Sequence, residues 1–484
     1  MDNRQEHMLR ITGYSDRLSV RPGEDITFYV HSEHEESYHT KIVRLLHGDT
    51  NPEGPGFKEE EIEASVNREY NGAYQRMDAG SYILVPHDSR FNLESFTLAG
   101  YIYPTLPTLG MQGLLTKWND RDGIGYGLFI DEAGELCLRI GRSDGEVRVS
   151  SGRPLFRNVW YEISVSFDAE SGRVRLVQQP YATPANGGFG MSLVHPLEDT
   201  ATEIKTEISV GPPAANHCPF LMGASVADLD SGRSIFGNHF AGLDKPWPLP
   251  IHGNKYNGRI DRPRLANRAL TQVEIETLLA GPGTSHLPLE ARKMVIAAWD
   301  FTANIRDNAA STEIIDTGPF TFHGRGVNMP VRGVPGFNWT SEYMSYRHGR
   351  EEYGGIHFHD ESVDDARWEP AFTYTVPMDL KSGVYAARLR IGGVESPETE
   401  DYLPFFVRPA ANGPTEKIAL VMSTVSYLAY ANDNLGVTSP VAQLLTARAA
   451  LLQPSDLLLN KKDAYGLGTY STYRDGWGVN ISSA

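Results

Sequence analysis

The chain has 484 residues, more than one hydrophobic core can serve, so we expect two to four domains. Acidic residues outnumber basic ones by 61 to 44. The resulting formal charge of −17 excludes the basic surface that nucleic acid or an anionic membrane would require. Glycine and proline are frequent, with 47 and 30 residues, a composition that favours β-sandwiches with many turns.

Residues 1–92 are predicted to contain the first part of an immunoglobulin-like sandwich. The runs "LRITGYSDRLSV" and "ITFYVHS" alternate between apolar and polar residues on either side of the turn "RPGED", and "TKIVRLLHGD" is a third strand-like run. Three or four strands do not close a sandwich, so the remaining strands must come from elsewhere. The polar, acidic stretch from residue 48 to residue 92 is interpreted as a crossing segment.

Residues 93–285 form a second predicted unit, in which short strands alternate with turns at a spacing near ten residues. Its runs "ESFTLAGYIYPT", "QGLLTKW", "WYEISVSFD" and "GRIDRPRLANRALTQVEIETLL" resemble those of the laminin-G-like or concanavalin-like jelly rolls. Near the end, Thr271 and Glu274 have the spacing of a capping box for a short helix that Gly281 ends. Cys137 lies in the alternating run "ELCLRIG" and is interpreted as a core residue.

Residues 286–410 return to strands, from "KMVIAAWDF" to "DYLPFFVRP". We expect them to supply the strands that the first sandwich lacks, so that the jelly roll is an insertion within that sandwich. Insertions of this kind are tolerated where both ends lie in surface connections.

Residues 411–484 show another pattern. The apolar run "EKIALVMST" predicts a buried parallel strand, "YLAYAND" a loop, and "SPVAQLLTARAALLQ" a helix. This order is the beginning of an α/β domain, in which sites form beyond the carboxyl ends of the strands. Because fewer than 70 residues follow the strand, we expect the chain to hold only the start of that domain.

Four tyrosines accompany this region: Tyr427 and Tyr430 in "SYLAYAND", and Tyr470 and Tyr473 in "TYSTYRDGWG". A buried tyrosine usually packs its ring and makes one hydrogen bond, and spacing alone favours that role. Phenolate is nevertheless a hard oxygen donor, and a trivalent iron ion would lower the tyrosine pKa enough to form it.

The layout as a whole resembles the large (beta) subunit of N,N-dimethylformamidase and its relatives. The matching pieces run from "LRITGYSDRLSVRPGEDITFYV" through "HFHDESVDDARWEPAFTYTVPMDLKSGVYAARLR" to "SYLAYAND" and "STYRDGWGVNISS". The resemblance implies an α/β domain of the glutamine-amidotransferase-like type. It also implies hydrolysis of a small N-substituted amide, such as dimethylformamide, to an amine and formate. Finally, it implies one non-haem iron ion, held by two tyrosines and a glutamate, and a small helical partner subunit in a larger oligomer.

Carried over by motif, the two tyrosine ligands of the iron are Tyr430 and Tyr473, with Tyr427 and Tyr470 as near alternatives. The sequence contains no glutamate after Glu416, so the third ligand is not assigned. In "STYRDGWG" the histidine usual in the family is missing, and Trp477 replaces a serine.

Within this resemblance, the iron is expected to act as a Lewis acid that polarises the amide carbonyl and lowers the pKa of a bound water. The polar side chains of Asn432, Asp433 and Asn434 follow Tyr430 and are candidates to hold the ligands in place. The alternative for these three residues is an ordinary turn or helix-capping role.

A second candidate is "GGIHFHDESVDD", where His357 and His359 share one side of a strand and Asp360 follows. Two histidines so placed can share a metal ion, although a solvated strand edge is the commoner arrangement.

Two other functions stay open: a carbohydrate-binding jelly roll with Trp118, Tyr126 and Trp247 at its rim, and a scaffold subunit without catalysis of its own.

The N-terminus lacks an apolar signal core, and Cys137 and Cys218 alone define no disulfide framework. We therefore expect a cytoplasmic protein with reduced thiols.

Overall fold

The computed structural model describes residues 9–48, 53–181, 197–236, 246–305, 309–392, 399–413, 416–431 and 468–478. Most of the elements in these ranges are strands, and the predicted multidomain β-sandwich architecture is confirmed. The chain divides into two units. The first is drawn from Met1–Met77 and Ala366–Ser471, and the second from Asp78–Asp365 and Thr472–Ser482.

The first unit begins with strands whose side chains alternate between a core face and an outer face. They are β1 (Ile11–Ser15), β2 (Ser19–Val20), β3 (Asp25–Ser32), β4 (Tyr38–His47), β5 (Lys58–Ile62) and β6 (Glu69–Tyr70). In β3, the side chains of Ile26, Phe28 and Val30 are buried, and Thr27 and Tyr29 between them are partly exposed. This period of two packs one face of a strand against a core.

The second unit contains the next strands of the chain. They are β7 (Tyr82–Val85), β8 (Phe96–Pro104), β9 (Gln112–Asn119), β10 (Ile124–Ile130), β11 (Glu135–Arg142), β12 (Gly145–Pro154), β13 (Trp160–Asp168), β14 (Arg173–Tyr181), β15 (Thr202–Glu207), β16 (Phe220–Met222), β17 (Ser225–Asp228), β18 (Ser234–Phe236), β19 (Pro246–Pro248), β20 (Ile251–Gly253), β21 (Gly258–Ala266), β22 (Val295–Asp300), β23 (Glu313–Asp316), β24 (Gly324–Val327), β25 (Val331–Val334) and β26 (Gly355–Phe358). The helices of this unit are α1 (Gln272–Leu279), α2 (Leu289–Arg292) and the short 3-10 turns Ser89–Phe91, Leu197–Thr200 and Arg350–Glu352.

Two antiparallel sheets run through this second unit. One has the order β12-β11-β10-β9-β16-β7-β24-β23. The other has the order β15-β14-β13-β8-β21-β22, with β26 paired to the first half of β21. Side chains from both sheets share one core, which includes Phe96 and Tyr161 from one sheet and Leu128 and Phe220 from the other. The predicted jelly-roll region is therefore a two-sheet sandwich.

Helix α1 begins as its sequence predicts. Thr271 accepts a hydrogen bond from the backbone N–H of Glu274, whose carboxylate in turn accepts the N–H of Thr271 at 2.8 Å. The helix buries Ile275 and Leu278 against the sandwich and ends at Leu279, two residues before Gly281. The capping box thus satisfies N–H groups that the first turn leaves without an intrahelical partner.

The second unit extends to Asp365, whereas the sequence predicts that the jelly roll ends at residue 285. Strands predicted to complete the first sandwich instead join the second: β22 and β26 pair with β21, and β24 pairs with β7. An alternating pattern shows that a strand has a core face, but it does not show which of two sheets the strand joins.

The chain returns to the first unit with β27 (Phe372–Thr375), β28 (Gly383–Ile391), β29 (Glu400–Val407) and helix α3 (Thr424–Tyr430). One sheet has the order β1-β3-β27, and the other has β2-β29-β28-β4-β5 with β6 beside β4. The first sandwich is thus built from chain segments that come before and after the second unit in the sequence.

The buried strand predicted in "EKIALVMST" is wrong. Residues 418–423 have no regular structure, and Ile418 is 89 % exposed. A parallel strand is stable only when neighbouring strands and helices cover it, and the described residues place no strand beside this run. The predicted loop "YLAYAND" is also wrong in part, because α3 spans Thr424–Tyr430. The predicted helix 439–453 and residues Asn432, Asp433 and Asn434 lie outside the described residues.

Both cysteines are buried and free, which confirms the core role predicted for Cys137. Burial raises the pKa of each thiol to about 11. Among the described residues, no helix has the length and apolar character needed to cross a bilayer.

Strand β21 carries buried charges through the middle of its sheet. Its register shifts between Asp261 and Arg264, where Arg262 has a φ of 47°. The Arg264 guanidinium donates to the carbonyls of Trp299 at 3.0 Å and Gly281 at 2.7 Å, so the strand is tied to the segments around it. Burial raises the pKa of Asp261 from 3.8 to about 6, although the Arg262 charge opposes the shift.

This raised pKa predicts a pH-dependent stability. The folded protein takes up the Asp261 proton at a higher pH than the unfolded chain, so stability falls as the pH rises from about 4 to about 6. As the pH rises through that range, the free energy of unfolding should fall less for Asp261→Asn than for the wild type, and the difference should be up to about 3 kcal/mol. Urea unfolding at pH 4.5 and pH 7.5 measures the difference. The exposed Asp144→Asn variant is the control and should follow the wild type; a similar response from Asp261→Asn would contradict the prediction.

Candidate functional site

A cluster of buried polar side chains lies where β26 ends. His357 is in β26 and His359 follows it directly, so the two imidazoles lie on the same side of the strand. Both are buried, with His359 only 1 % exposed, because β26 pairs with β21 on one edge and with β25 on the other. The solvated strand edge considered for this stretch is therefore wrong.

The cluster is completed by Asp475 from the segment Thr472–Ser482, which belongs to the same unit. The Oδ2 atom of Asp475 accepts hydrogen bonds from Thr105 at 2.8 Å and from Nε2 of His357 at 3.0 Å. Its Oδ1 atom accepts the backbone N–H of Trp477 at 2.8 Å. One buried carboxylate thus connects the C-terminal segment to the residue after β8 and to β26.

The charges in this cluster are balanced by Arg259, which lies directly opposite His357 in the pairing of β21 with β26. Its Nε donates to Nδ1 of His357 at 3.4 Å, and its guanidinium lies 4.8 Å from the centre of the Trp477 ring. Such a contact between a cation and an aromatic face is favourable, most of all where water is excluded. The pair of Arg259 and Asp475 brings one positive and one negative charge into the interior together.

Burial sets the protonation of the histidines. It lowers the pKa of His357, and it lowers that of His359 to about 3, with the nearby His357 as the second cause. For Asp475, burial alone would raise the pKa, but the hydrogen bond from His357 and the electrostatic interaction with His359 outweigh it, so the net shift is downward. The cluster therefore holds neutral imidazoles beside an ionised carboxylate at neutral pH.

His357, His359 and Asp475 each offer a ligand atom, and these atoms lie within 4.8 Å of one another. Imidazole and carboxylate groups are the donor types from which zinc and related metal sites are built. By residue type and spacing alone, the three side chains match a metal site.

Tyr473, predicted as an iron ligand, lies beside this cluster. It is 3 % exposed, its phenol oxygen lies 3.0 Å from the Ser362 hydroxyl, and its ring stacks on His359 at a centroid distance of 3.6 Å. Burial raises the pKa of the phenol. A buried phenol oxygen among polar groups suits a hard trivalent cation, whose charge would favour the phenolate form.

Tyr430, the other predicted ligand, lies at the end of α3 in the first unit and is 58 % exposed. Its ring lies 5.1 Å from that of Tyr470, and Tyr427 stacks on Phe406 at 6.0 Å. Tyr430 and Tyr473 belong to different units. Their shared role as iron ligands stays a prediction.

Sequence reasoning missed Arg259, Ser362 and Asp475. A signal for Arg259 was present, since "GRIDRPR" places three arginines and an aspartate in one strand in which every residue is buried. Charged side chains are almost never fully buried unless they are paired, so such a strand indicates a polar network. Asp475 and Ser362 give no such signal, because each lies in a polar loop.

The aromatic residues considered for a carbohydrate site are part of the core. Trp118, Tyr126 and Trp247 are all buried, and Tyr126 donates its hydroxyl hydrogen to the Phe91 carbonyl at 2.8 Å. Stacking on a sugar requires an exposed aromatic face, which these three do not offer.

The fold and the cluster define a class: a β-sandwich protein with a second sandwich inserted, in which a buried tyrosine packs against two histidines and a carboxylate. Residues 331–484 match the family described as "N,N-dimethylformamidase beta subunit-like, C-terminal". The chain is 36 % identical over 481 residues to the N,N-dimethylformamidase beta subunit of Paracoccus aminophilus, and 35 % identical over 482 residues to that of an Alcaligenes species.

Each match covers 98 % of this chain and 59 % of the relative. The resemblance predicted from the motifs is thereby confirmed: nearly the whole chain is similar in sequence to these two N,N-dimethylformamidase beta subunits. It spans about three fifths of the length of these curated relatives.

Likenesses to solved structures are weak. A candidate carbohydrate-binding protein of Bacteroides ovatus aligns with 63 % of this chain and 68 % of its own length, at 15 % identity and a TM-score of 0.31. A SAP-like pentraxin from Limulus polyphemus aligns with 50 % of this chain and 81 % of its own, at 10 % identity and a TM-score of 0.24. Scores this low carry no argument about function.

The hydrogen bonds to Asp475 predict a large loss of stability when its carboxylate is removed. Asp475→Ala leaves buried donors on Thr105, His357 and Trp477 without an acceptor, which should cost about 3 kcal/mol. Urea unfolding followed by tryptophan fluorescence measures this loss. Thr105→Val keeps the shape and removes one hydrogen bond, so it should cost only about 1 kcal/mol. Equal stability of Asp475→Ala and the wild type would contradict this account of the cluster.

Proposed function

We propose that the chain forms part of the large subunit of an amide hydrolase, which cleaves a small N-substituted amide such as N,N-dimethylformamide to an amine and formate. The observation that carries this proposal is the identity of 35–36 % over 98 % of the chain to two proteins named N,N-dimethylformamidase beta subunit. The position of Tyr473 supports it, because this ligand predicted from the motif lies in a buried polar cluster and not on the surface.

The proposed cofactor is a single non-haem iron ion, held by Tyr430 and Tyr473 together with a third ligand that this sequence does not assign. When bound, such an ion supplies Lewis acidity, which polarises an amide carbonyl and lowers the pKa of a bound water. The part played by this chain is to provide phenol oxygens. The burial of Tyr473 excludes water from its ring, and the Ser362 hydroxyl donates to its oxygen.

We further propose that the chain works in an oligomer with a second, small helical subunit. The relatives are named as beta subunits, which implies another kind of subunit in their enzyme. The cytoplasmic location expected from the sequence stays a prediction.

The proposal predicts that the phenol oxygens of Tyr430 and Tyr473 are required for both iron and activity. Tyr430→Phe and Tyr473→Phe in the full-length protein, assembled with its partner subunit, should lose bound iron and the visible charge-transfer colour of iron phenolate. They should also release amine from N,N-dimethylformamide at least about 100-fold more slowly, as expected when a metal ligand is removed.

Tyr427→Phe and Tyr470→Phe are the matched controls and should retain iron, colour and activity. If Tyr430→Phe were fully active and Tyr427→Phe inactive, the ligand would be Tyr427. A wild-type protein that binds no iron and hydrolyses no amide would refute the proposed function.

A further inference from the structure

The rings of His357, His359 and Tyr473 form a continuous stack. The two imidazole centroids lie 4.3 Å apart with planes inclined by 11°, and the His359 and Tyr473 centroids lie 3.6 Å apart with planes inclined by 8°. His359 is therefore enclosed between two other rings.

This stack argues against a metal ion shared by the two histidines and Asp475. A metal ion bound to a ring nitrogen about 2.0 Å away lies close to the plane of that imidazole. Two stacked, nearly parallel rings do not have a point between their nitrogens that lies in both planes. In addition, Nδ1 of His357 accepts from Arg259, which places the remaining proton on Nε2, where it is donated to Asp475. The lone pair that a metal ion would need is then taken by that proton.

The hydrogen bonds around the stack fix the middle ring. Nε2 of His359 lies 3.1 Å from the Trp477 carbonyl, to which it donates, and this carbonyl belongs to the same segment as Asp475. His359 is thus held by a ring on each face and by a hydrogen bond at its edge. A side chain held in this way has little rotamer freedom, so it presents a fixed surface to the Tyr473 ring.

The oxygen of Tyr473 is fixed separately from its ring. Ser362 follows His359 by three residues and donates to the phenol oxygen at 3.0 Å. A phenolate bound to a metal ion has no proton to donate, but its oxygen still accepts a hydrogen bond. Donation from Ser362 is therefore compatible with the role proposed for Tyr473 and would stabilise its ionised form.

We propose that His359 and Ser362 are positioning residues for Tyr473: His359 orients the ring by stacking, and Ser362 orients the oxygen and sets how strongly it donates to iron. This inference rests on the proposed function, since it assigns to Tyr473 the role of an iron ligand. It adds two residues that do not touch the metal ion. Groups of this kind commonly change metal affinity by about 10- to 100-fold when they are removed.

The test compares iron binding and the phenolate charge-transfer band in the full-length protein and three variants. His359→Ala should weaken iron binding by about 10- to 100-fold, and His359→Phe, which keeps an aromatic face, should restore most of it. Ser362→Ala should keep its iron and shift the band to longer wavelength, because a phenolate without its donor gives up charge to iron more easily.

Two further variants serve as matched controls. His252→Ala removes another buried histidine whose ring lies against a tyrosine, Tyr82, at 4.4 Å. Ser164→Ala removes a buried hydroxyl that has no hydrogen-bond partner among the described residues. Both should leave iron affinity and the band unchanged.

The outcomes separate the two proposals. Wild-type protein with iron and the band, together with His359→Ala and Ser362→Ala variants that match it, would overturn this inference alone. Wild-type protein without iron or band would overturn the proposed function and this inference with it. Should His359→Ala fail to fold, His359→Phe still decides: loss of iron in that folded variant would show that stacking does not position Tyr473.

Discussion

The Asp475 carboxylate is the interaction on which the candidate site depends. A buried carboxylate without partners costs several kcal/mol, so its place in the interior requires the donors that surround it. Thr105, His357 and the Trp477 backbone supply them, and Arg259 supplies the compensating positive charge through His357. Thr105 directly follows β8 and His357 lies in β26, so their hydrogen bonds to Asp475 hold the segment that carries Tyr473 on the second unit.

Strand β21 provides the other half of this arrangement. It pairs with β8 and with both β22 and β26, so it lies between strands that are far apart in sequence. The same strand carries Arg259 towards the candidate site and Arg264 towards the carbonyls around α1. Its arginines therefore make hydrogen bonds to neighbouring segments that an apolar strand could not make.

Much of the architecture could be predicted from local patterns. Alternation in "ITFYVHS" and the capping box at Thr271 depend on nearby residues only, and the structure confirms both. The assignment of β22, β24 and β26 to the second sandwich could not be predicted, because strand pairing depends on residues that are distant in sequence. The run at Ile418 shows a related limit. Its apolar residues predict a buried strand, but burial also requires other elements to pack against the run, and Ile418 is exposed.

Only those residues of the candidate site that belong to a recognisable sequence motif could be predicted. Tyr473 was found through a family motif, and His357 and His359 through their spacing, yet burial of the two histidines reversed the solvent-exposed interpretation. Asp475 and Ser362 are recognised only when their segments meet in the folded protein, whereas the charges in "GRIDRPR" already indicate a polar network around Arg259. The family motif thus identifies Tyr473 as a candidate ligand, and the structure identifies the side chains that surround it.

The central claim is that the phenol oxygen of Tyr473 binds iron in an amide hydrolase. Resonance Raman spectroscopy of the purified full-length protein, excited in its visible band, tests this directly. The account predicts tyrosine-phenolate vibrations enhanced by bound iron that weaken or vanish in Tyr473→Phe. A colourless protein, or a spectrum unchanged by Tyr473→Phe, would contradict it.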